Sequence, residues 1–388
     1  MSNLYVHFPF CRRKCTYCAL YSKCNFSAAD RQAYVQSLAD QLPRLLEESN
    51  TCASDLKTVY FGGGSPAICD LSPIFKSLHA LGFGVCPQQF HGVCPQNIGV
   101  CPQNIGVCPQ EFTVELHPQD VTEDCLIRLR DGGVNRISMG VQSLDDATLA
   151  KMGRGYRLKD AERAFQLVRR YFDNAGIDLI LGYPGDPCAN WQCLADWGLR
   201  HCSVYSLILE PESRLYRQLH SGDRPQKNGD RPQLPSDDQV LDQLAKLADY
   251  FNEIGLERYE ISNYAVKGFE CQHNLAVWRG EDYLGLGAGA YGRFGLQRTR
   301  HLGFPWGLSP EVWGLSPEVE TVDFDADRKE RTLFRLRTRE GLDASGYPQW
   351  GQTLDEFCKQ GLLTREGSVY KLTPRGTEVC DSILAELV

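Results

Sequence analysis

Hydrophobic residues follow two different periods along this chain. Short apolar runs alternate with longer stretches in which apolar residues recur near the helical period. The short runs predict six strands. The first ends before Cys11, and the others lie at 56–61, 112–118, 136–143, 176–182 and 202–207. The longer stretches predict helices over 29–48, 71–81, 125–130, 159–172 and 237–252. This alternation predicts a parallel sheet of βαβ units, and six strands suit a partial (β/α)6 barrel. In such barrels functional residues collect at the C-terminal ends of the strands.

The pattern also predicts how the chain divides. Residues 1–220 form the partial barrel, with 84–110 as an inserted loop, and 221–236 form a second loop. Residues 237–305 complete the barrel, and 306–326 are a linker. From residue 327 onward, two helical patterns, a short hairpin and a last helix predict a small winged-helix-like α+β domain over 327–388.

Three repetitive stretches interrupt the barrel pattern: GVCPQ-type copies in 84–110, GDRPQ twice in 222–232, and WGLSPEV in tandem in 306–319. Glycine and proline in each GVCPQ copy exclude a coiled coil. Their cysteines suggest metal binding by Cys86, Cys94, Cys101 and Cys108. The favoured interpretation is an expanded surface loop, because the entropic cost of closing a loop grows slowly with its length.

Charge and cysteine content limit which partners and which cellular compartment are expected. The net charge is −8 and long Lys/Arg runs are absent, so we expect no nucleic-acid partner. For the same reason, the favoured role of the domain over 327–388 is a lid or a protein contact. We expect no transmembrane segment, since no apolar stretch is long enough. Seventeen cysteines without an N-terminal secretion signal predict the reducing cytoplasm.

Three cysteines after the first strand carry the strongest chemical signal. Cys11, Cys15 and Cys18 have the spacing C-x3-C-x2-C. Three thiolates on one short loop can hold three irons of a [4Fe-4S] cluster and leave the fourth iron open for a small molecule. Zinc or free buried thiols remain alternatives. Zinc sites usually need a distant second C-x2-C pair, which this sequence lacks.

The wider run LYVHFPFCRRKCTYC, with Tyr17 before the third cysteine, resembles the radical S-adenosylmethionine (SAM) signature. It is similar to the branch that holds oxygen-independent coproporphyrinogen III oxidases and HemW-type haem chaperones. The resemblance implies that the open iron chelates the amino and carboxylate groups of SAM. The reduced cluster then cleaves SAM to a 5′-deoxyadenosyl radical. An electron donor is implied if SAM is cleaved.

The same resemblance extends to polar residues at the predicted strand ends. It implies SAM contacts from Tyr5, Tyr17, Gly63, Gly64, Ser65, Glu115, Gln142, Arg154 and Asp178. Gly62–Pro66 matches the family's G-G-G-T-P motif with serine for threonine, although a tight βα turn explains glycines equally well. Taken singly, the other polar residues are also compatible with structural roles.

Two positions in the sequence distinguish the oxidases from the HemW-type proteins. The oxidases carry a fourth cysteine two residues after the third, and Leu20 stands there instead. HemW-type proteins carry H-N-x-x-Y-W, which is tied to haem binding. Here His273, Asn274 and Trp278 match, and Val277 replaces the tyrosine. A neutral imidazole is a good axial iron ligand. A His and a Trp packed at a domain junction are the alternative.

Three functions follow. The favoured one is a cluster-bearing, SAM-binding haem chaperone that passes haem to an acceptor protein, with a homodimer possible. The alternatives are an oxidase-type radical enzyme acting on a tetrapyrrole, and an interaction protein whose cluster is only structural. Leu20 and the H-N-x-x-x-W segment favour the first over the second.

Overall fold

The structure, a computed structural model, describes residues 2–83, 111–220, 233–302 and 317–388. The GVCPQ and GDRPQ repeats and residues 306–316 therefore lie outside the described residues, as do the predictions made for Cys86, Cys94, Cys101 and Cys108.

Six parallel strands form the centre of the molecule, as the alternating pattern predicted. They are β1 (Ser2–Phe8), β2 (Leu56–Gly63), β3 (Glu111–Leu116), β4 (Arg136–Gln142), β5 (Asn174–Leu181) and β6 (His201–Ser206), and neighbours in this order are hydrogen-bonded. Their helices are α1 (Ala28–Glu48), α2 (Ser72–Ala80), α3 (Glu123–Asp131), α4 (Asp146–Met152), α5 (Leu158–Tyr171), α6 (Leu194–Trp197), α7 (Arg214–His220) and α8 (Asp237–Glu253). The predicted α/β arrangement of six parallel strands with helices between them is confirmed.

Local sequence explains where these helices begin. Ser27 starts α1 with a capping box, in which its side chain accepts from the Asp30 amide and the Asp30 carboxylate accepts from the Ser27 amide. Thr122 and Asp145 cap α3 and α4 in the same position. These caps satisfy amides that have no partner within the helix.

Further strands extend both edges of the sheet, which the sequence did not predict. Along the chain come β7 (Glu257–Arg258), β8 (Asn263–Ala265), α9 (Gln272–Trp278), β9 (Tyr283–Leu286), β10 (Tyr291–Phe294), β11 (Gln297–Arg300) and β12 (Glu318–Thr321). Strand β8 pairs with β6, and β9 pairs with β1 and leads to β10, β11 and β12. Strand β9 is parallel to β1, and the pairs β6–β8, β9–β10, β10–β11 and β11–β12 are antiparallel. The prediction of a linker over 306–326 is therefore wrong at 318–321, where β12 pairs with β11. Alternate Glu and Arg residues face each other in that pairing, which stabilises a strand that lacks an apolar face.

The C-terminal residues have a hydrophobic core of their own. Its elements are α10 (Phe324–Phe334), β13 (Leu342–Asp343), α11 (Gly351–Lys359), β14 (Leu363–Glu366), β15 (Val369–Leu372), α12 (Pro374–Glu378) and α13 (Cys380–Ala385). They run in the predicted order of helix, helix, hairpin and helix. A buried ion pair between Arg293 of β10 and Asp327 of α10 joins this part to the sheet, at 2.6 Å. Among the described residues, we find no helix with the length and apolar content needed to cross a bilayer.

Candidate cluster and cofactor site

The three cysteines lie on the loop that leaves the C-terminal end of β1. Cys11, Cys15 and Cys18 are free, partly exposed thiols. The main chain holds their loop from both sides, since the Thr16 amide donates to the Met152 carbonyl at 3.0 Å and the Leu215 amide donates to the Thr16 carbonyl at 2.7 Å. Helices α4 and α7 therefore fix this loop, as a ligand loop for a metal requires.

The glycine turn after β2 lies directly beneath the cysteine loop. The amides of Gly64 and Ser65 donate to the carbonyls of Phe8 and Phe10, each at 2.7 Å. A Cβ on Gly64 would lie 2.4 Å from the Phe10 carbonyl oxygen, so only glycine fits there. The turn and the residues before Cys11 are thus packed backbone against backbone.

Ser65 has a partner inside the protein. Its buried hydroxyl donates to Asp120, and Asp120 also forms an ion pair with Arg12 of the cysteine loop. In this conformation Ser65 therefore links the glycine turn to the cysteine loop, and Gly63 and Gly64 are the partly exposed members of the motif.

Polar side chains along the barrel interior are reachable by solvent while their strand neighbours are buried. Tyr5, Glu115, Gln142 and Asp178 are each partly exposed, and the apolar residues next to them in β1, β3, β4 and β5 are buried. Side chains alternate between the two faces of a strand, so these residues line one open interior. The structure thus brings together, on this face, four of the nine residues that the resemblance assigned to SAM.

Two carboxylates of this interior affect each other's protonation. Glu115 accepts hydrogen bonds from the Tyr60 hydroxyl at 2.8 Å and the Gly63 amide at 3.0 Å, and Asp178 accepts one from Ser138 at 2.9 Å. Burial, followed by the charge of Asp178, raises the pKa of Glu115 to about 7. Burial also raises the pKa of Asp178. A cationic ligand between them would relieve this repulsion and favour both ionised forms.

Arg154 connects the barrel to the cysteine loop. Its guanidinium is buried, and Nη1 lies 3.3 Å from the Cys15 sulfur while Nη2 donates to the Gly140 carbonyl at 2.5 Å. A positive charge at this distance stabilises a thiolate. Arg154, which the resemblance implies as a SAM contact, thus contacts a cysteine sulfur in this structure.

Gln142 has a strained backbone at the end of β4. Its φ is +77°, and the pairing of β4 with β5 slips by one residue between Gly140 and Gln142. This left-handed conformation is unfavourable for a residue with a side chain. The Gln142 side chain nevertheless stays over this interior, since its Nε2 lies 2.6 Å from the place that a Cβ on Gly140 would take.

The three thiols do not form a ready-made site for one ion. Within the described ranges, no three His, Cys, Asp or Glu side chains converge as ligands of one ion. In a cluster each cysteine ligates a different iron. Cys11, Cys15 and Cys18 are free thiols on one loop, beside Arg154.

Comparison with known proteins agrees with this geometry. The family model of the radical SAM superfamily matches residues 5–193. These residues form a radical SAM domain. Along its whole length the chain is similar to two proteins named "Heme chaperone HemW". The Bacillus subtilis (strain 168) protein is 29% identical and covers 100% of both chains. The Escherichia coli (strain K12) protein is also 29% identical, over 98% of this chain and 97% of the relative.

A solved structure of Escherichia coli coproporphyrinogen III oxidase (HemN), described as a radical SAM enzyme, has a related fold. The TM-score is 0.75 at 19% identity, over 99% of this chain and 89% of that one. At this identity the likeness shows the fold alone. The radical SAM domain and the antiparallel strands around it thus have a known architectural counterpart.

Sequence reasoning missed a fourth cysteine beside the loop of the radical SAM domain. Cys24 is a free, partly exposed thiol close to Cys11: burial is the main cause that raises the pKa of Cys11, and the charges of Cys18, Cys24 and Cys15 add to it. Cys24 lies outside the C-x3-C-x2-C spacing. The usable signal was the density of four cysteines within residues 11–24.

His273 lies at the opposite end of the radical SAM domain from the cysteine loop. Helix α9 closes the N-terminal end of the barrel, where the Glu111 carboxylate accepts hydrogen bonds from the amides of Gln272 and His273 at 2.9 and 3.1 Å. His273 Nδ1 lies 2.7 Å from the Thr58 hydroxyl, and its ring packs against Tyr60 with centroids 5.1 Å apart. His273 is 5% exposed, so its imidazole is buried in this conformation.

The rest of the H-N-x-x-x-W segment lies between the radical SAM domain and the C-terminal part. Trp278 packs edge-on against Phe334 at 6.0 Å, and the Arg337 guanidinium covers its ring at 5.1 Å. Its face is therefore not free in this conformation. Asn274 is partly exposed. Of these three residues, His273 is the one with a contact to a residue implied to bind SAM: its ring centroid lies 6.4 Å from that of Tyr5.

Proposed function

We propose that this protein is a haem chaperone that binds a [4Fe-4S] cluster and SAM and delivers haem to an acceptor protein. End-to-end similarity to proteins named Heme chaperone HemW supports the assignment. The observation that supports the cofactor part is that Arg154 contacts both the Cys15 sulfur and the carbonyl of Gly140, the residue that pairs with Asp178 in the sheet.

The residues of the interior suit SAM by charge and by shape. SAM carries a sulfonium and an ammonium group, and Glu115 and Asp178 supply opposite charge. Gly63 has a φ of +103°, and a Cβ there would lie 2.4 Å from the His7 ring, so the turn keeps its close packing only with glycine. We assign Gly63 and Gly64 to the methionine part of SAM, and Gln142, with Asp178, to its polar edge.

Tyr5 and Tyr17, two further residues proposed to contact SAM, are held in place by contacts within the protein. Tyr5 shares a hydrogen bond with His7 Nδ1 at 3.0 Å, and His7 Nε2 contacts the Tyr21 carbonyl at 2.9 Å, so this chain of contacts orients the Tyr5 hydroxyl toward a fixed place. Tyr17 packs edge-on against Tyr183 and shields the inner side of the loop. When bound, a cluster and SAM together supply one-electron chemistry, which needs an electron donor if SAM is cleaved.

We propose that haem binds through the segment His273, Asn274 and Trp278. Burial lowers the pKa of His273 to about 3, so its imidazole is neutral, which is the form that ligates iron. Thr58 engages Nδ1, which leaves Nε2 as the ligating nitrogen. Iron can reach that atom only if α9 shifts or haem enters from the barrel side. Haem binding therefore includes a displacement in or around α9.

The oxidase alternative depends on a fourth motif cysteine. Leu20 occupies that position and is 57% exposed, so it supplies neither a ligand nor core packing. This favours the chaperone. The acceptor protein, the homodimer and the absence of nucleic-acid binding stay predictions.

Haem titration of the anaerobically reconstituted protein tests the proposal. We expect haem absorbance to remain with the protein after gel filtration, and His273→Ala to change the absorption spectrum of the bound haem while Cys52→Ala, on an exposed thiol, does not. Protein that retains no haem would remove the chaperone assignment. Haem retained with an unchanged spectrum in His273→Ala would place the iron ligand elsewhere.

A further inference from the structure

We infer that Cys11 and Cys24 form a reversible disulfide in the cluster-free protein, so that one cysteine of the cluster loop is protected when metal is absent. This goes beyond the proposed haem function. Its connection with the cluster rests on that function, because Cys11 is there a proposed ligand.

The backbone places the two cysteines side by side. Phe10 and Lys23 form a parallel β-bridge, in which the Lys23 amide donates to the Pro9 carbonyl at 2.8 Å and the Cys11 amide donates to the Lys23 carbonyl at 3.0 Å. Cys11 and Cys24 are the next residue on each segment. They follow a bridged pair and therefore lie next to each other across the two hydrogen-bonded segments. Neighbouring extended segments lie about 5 Å apart, which is within the Cα separation of a disulfide.

Side-chain contacts hold the second segment in place. Lys14 donates to the Ser22 hydroxyl at 2.8 Å and to the Leu20 carbonyl, which ties the middle of the cysteine loop to the segment before Cys24. Lys23 also lies 6.0 Å from the ring centroid of Phe26. The pair is therefore pre-positioned.

The chemistry is two successive thiol–disulfide exchanges with a low-molecular-weight disulfide as oxidant. The Cys24 thiolate attacks the small disulfide, forming a mixed disulfide and releasing one small thiol. The Cys11 thiolate then attacks the Cys24 sulfur, forming the protein disulfide and releasing the second small thiol. Two protein thiols are oxidised and one small disulfide is reduced to two thiols. Iron bound to Cys11 would prevent the second step.

Peptide mapping tests the pairing directly. Cluster-free protein is treated with oxidised glutathione, alkylated and digested with trypsin. Cleavage gives residues 1–12 with Cys11, residues 15–23 with Cys15 and Cys18, and residues 24–31 with Cys24. We expect the 1–12 peptide linked to 24–31 to be about tenfold more abundant than any other linked pair, because adjacency gives a high effective concentration. Links from 1–12 to 15–23, or no link to 24–31, would overturn the proposal.

Two further arms complete the design. In Cys24→Ser, Cys11 has lost its neighbour and should keep glutathione as a mixed disulfide, as the exposed Cys52 does in every sample. Cluster-loaded protein should show no 1–12/24–31 link. If the link forms equally with the cluster bound, the pairing stands and the assignment of Cys11 as a cluster ligand fails.

Discussion

Arg154 Nη1 lies 3.3 Å from the sulfur of Cys15, so a buried guanidinium touches one of the three thiols of the radical SAM domain. Its positive charge stabilises the added negative charge when a cluster is reduced. We expect Arg154→Leu to lower the reduction potential of the reconstituted cluster, on the order of 60 mV, whereas Arg154→Lys keeps most of the wild-type value. Redox titration followed by electron paramagnetic resonance measures it. A potential that does not change in Arg154→Leu would show that the contact has no electrostatic role.

SAM binding should depend on pH through Glu115. The pKa of about 7 means that this carboxyl is neutral below about pH 7 and charged above it. A cation therefore binds more tightly as pH rises through that value. We expect Glu115→Gln to weaken SAM binding about tenfold at pH 8 and to remove the pH dependence, which corresponds to about 1.4 kcal/mol. Equilibrium dialysis of Glu115→Gln beside the exposed-site control Glu48→Gln measures both effects, and a steep pH dependence in Glu115→Gln would exclude this role.

The strained backbone of Gln142 gives a prediction that separates stability from binding. Because its φ is +77°, Gln142→Gly should be about 1 kcal/mol more stable than Gln142→Ala. Both variants should bind SAM less tightly than the wild type, since both lack the amide. Chemical denaturation and SAM titration on the same samples measure the two quantities. Equal stability of the two variants would mean that the strain is not present in solution.

His273 should contribute to stability whether or not haem is bound. His273→Ala removes a buried ring and one of the two hydrogen bonds of the Thr58 hydroxyl, which keeps its bond to Asn3, so we expect a loss of about 2–4 kcal/mol in the free energy of unfolding. The partly exposed neighbour gives the control, Asn274→Ala, with an expected change within about 0.5 kcal/mol. Urea denaturation of both variants measures this.

The same residue adds a pH dependence with a definite sign. Its folded pKa of about 3 is below the unfolded value near 6.5, so the unfolded chain binds the proton first and stability falls as pH drops through this window. The slope of stability against pH between about 6 and about 4 should therefore be smaller in His273→Ala than in the wild type. An unchanged slope would contradict the buried, neutral imidazole.

Sequence predicted those features of the protein that depend on neighbouring residues along the chain. Strand and helix periods predicted β1 to β6 and the helices α1, α2, α3, α5 and α8, whereas the short helices α4, α6 and α7 were not predicted. The C-x3-C-x2-C spacing and the resemblance supplied the candidate site residues, whose roles stay predictions. The strand β12 was missed because its residues, Glu318 to Thr321, are all exposed and carry no apolar alternation. Burial of His273 depends on the distant Glu111 and Thr58, which only the folded chain brings to α9.

One anaerobic comparison tests the central claim most directly. The reconstituted protein is incubated with SAM and a reductant, in one sample with haem and in another with coproporphyrinogen III. The haem chaperone account predicts that haem stays with the protein through gel filtration and passes to an added haem-free acceptor such as apomyoglobin, while coproporphyrinogen III is recovered unchanged. Conversion of coproporphyrinogen III to protoporphyrinogen IX without retention of haem would contradict it.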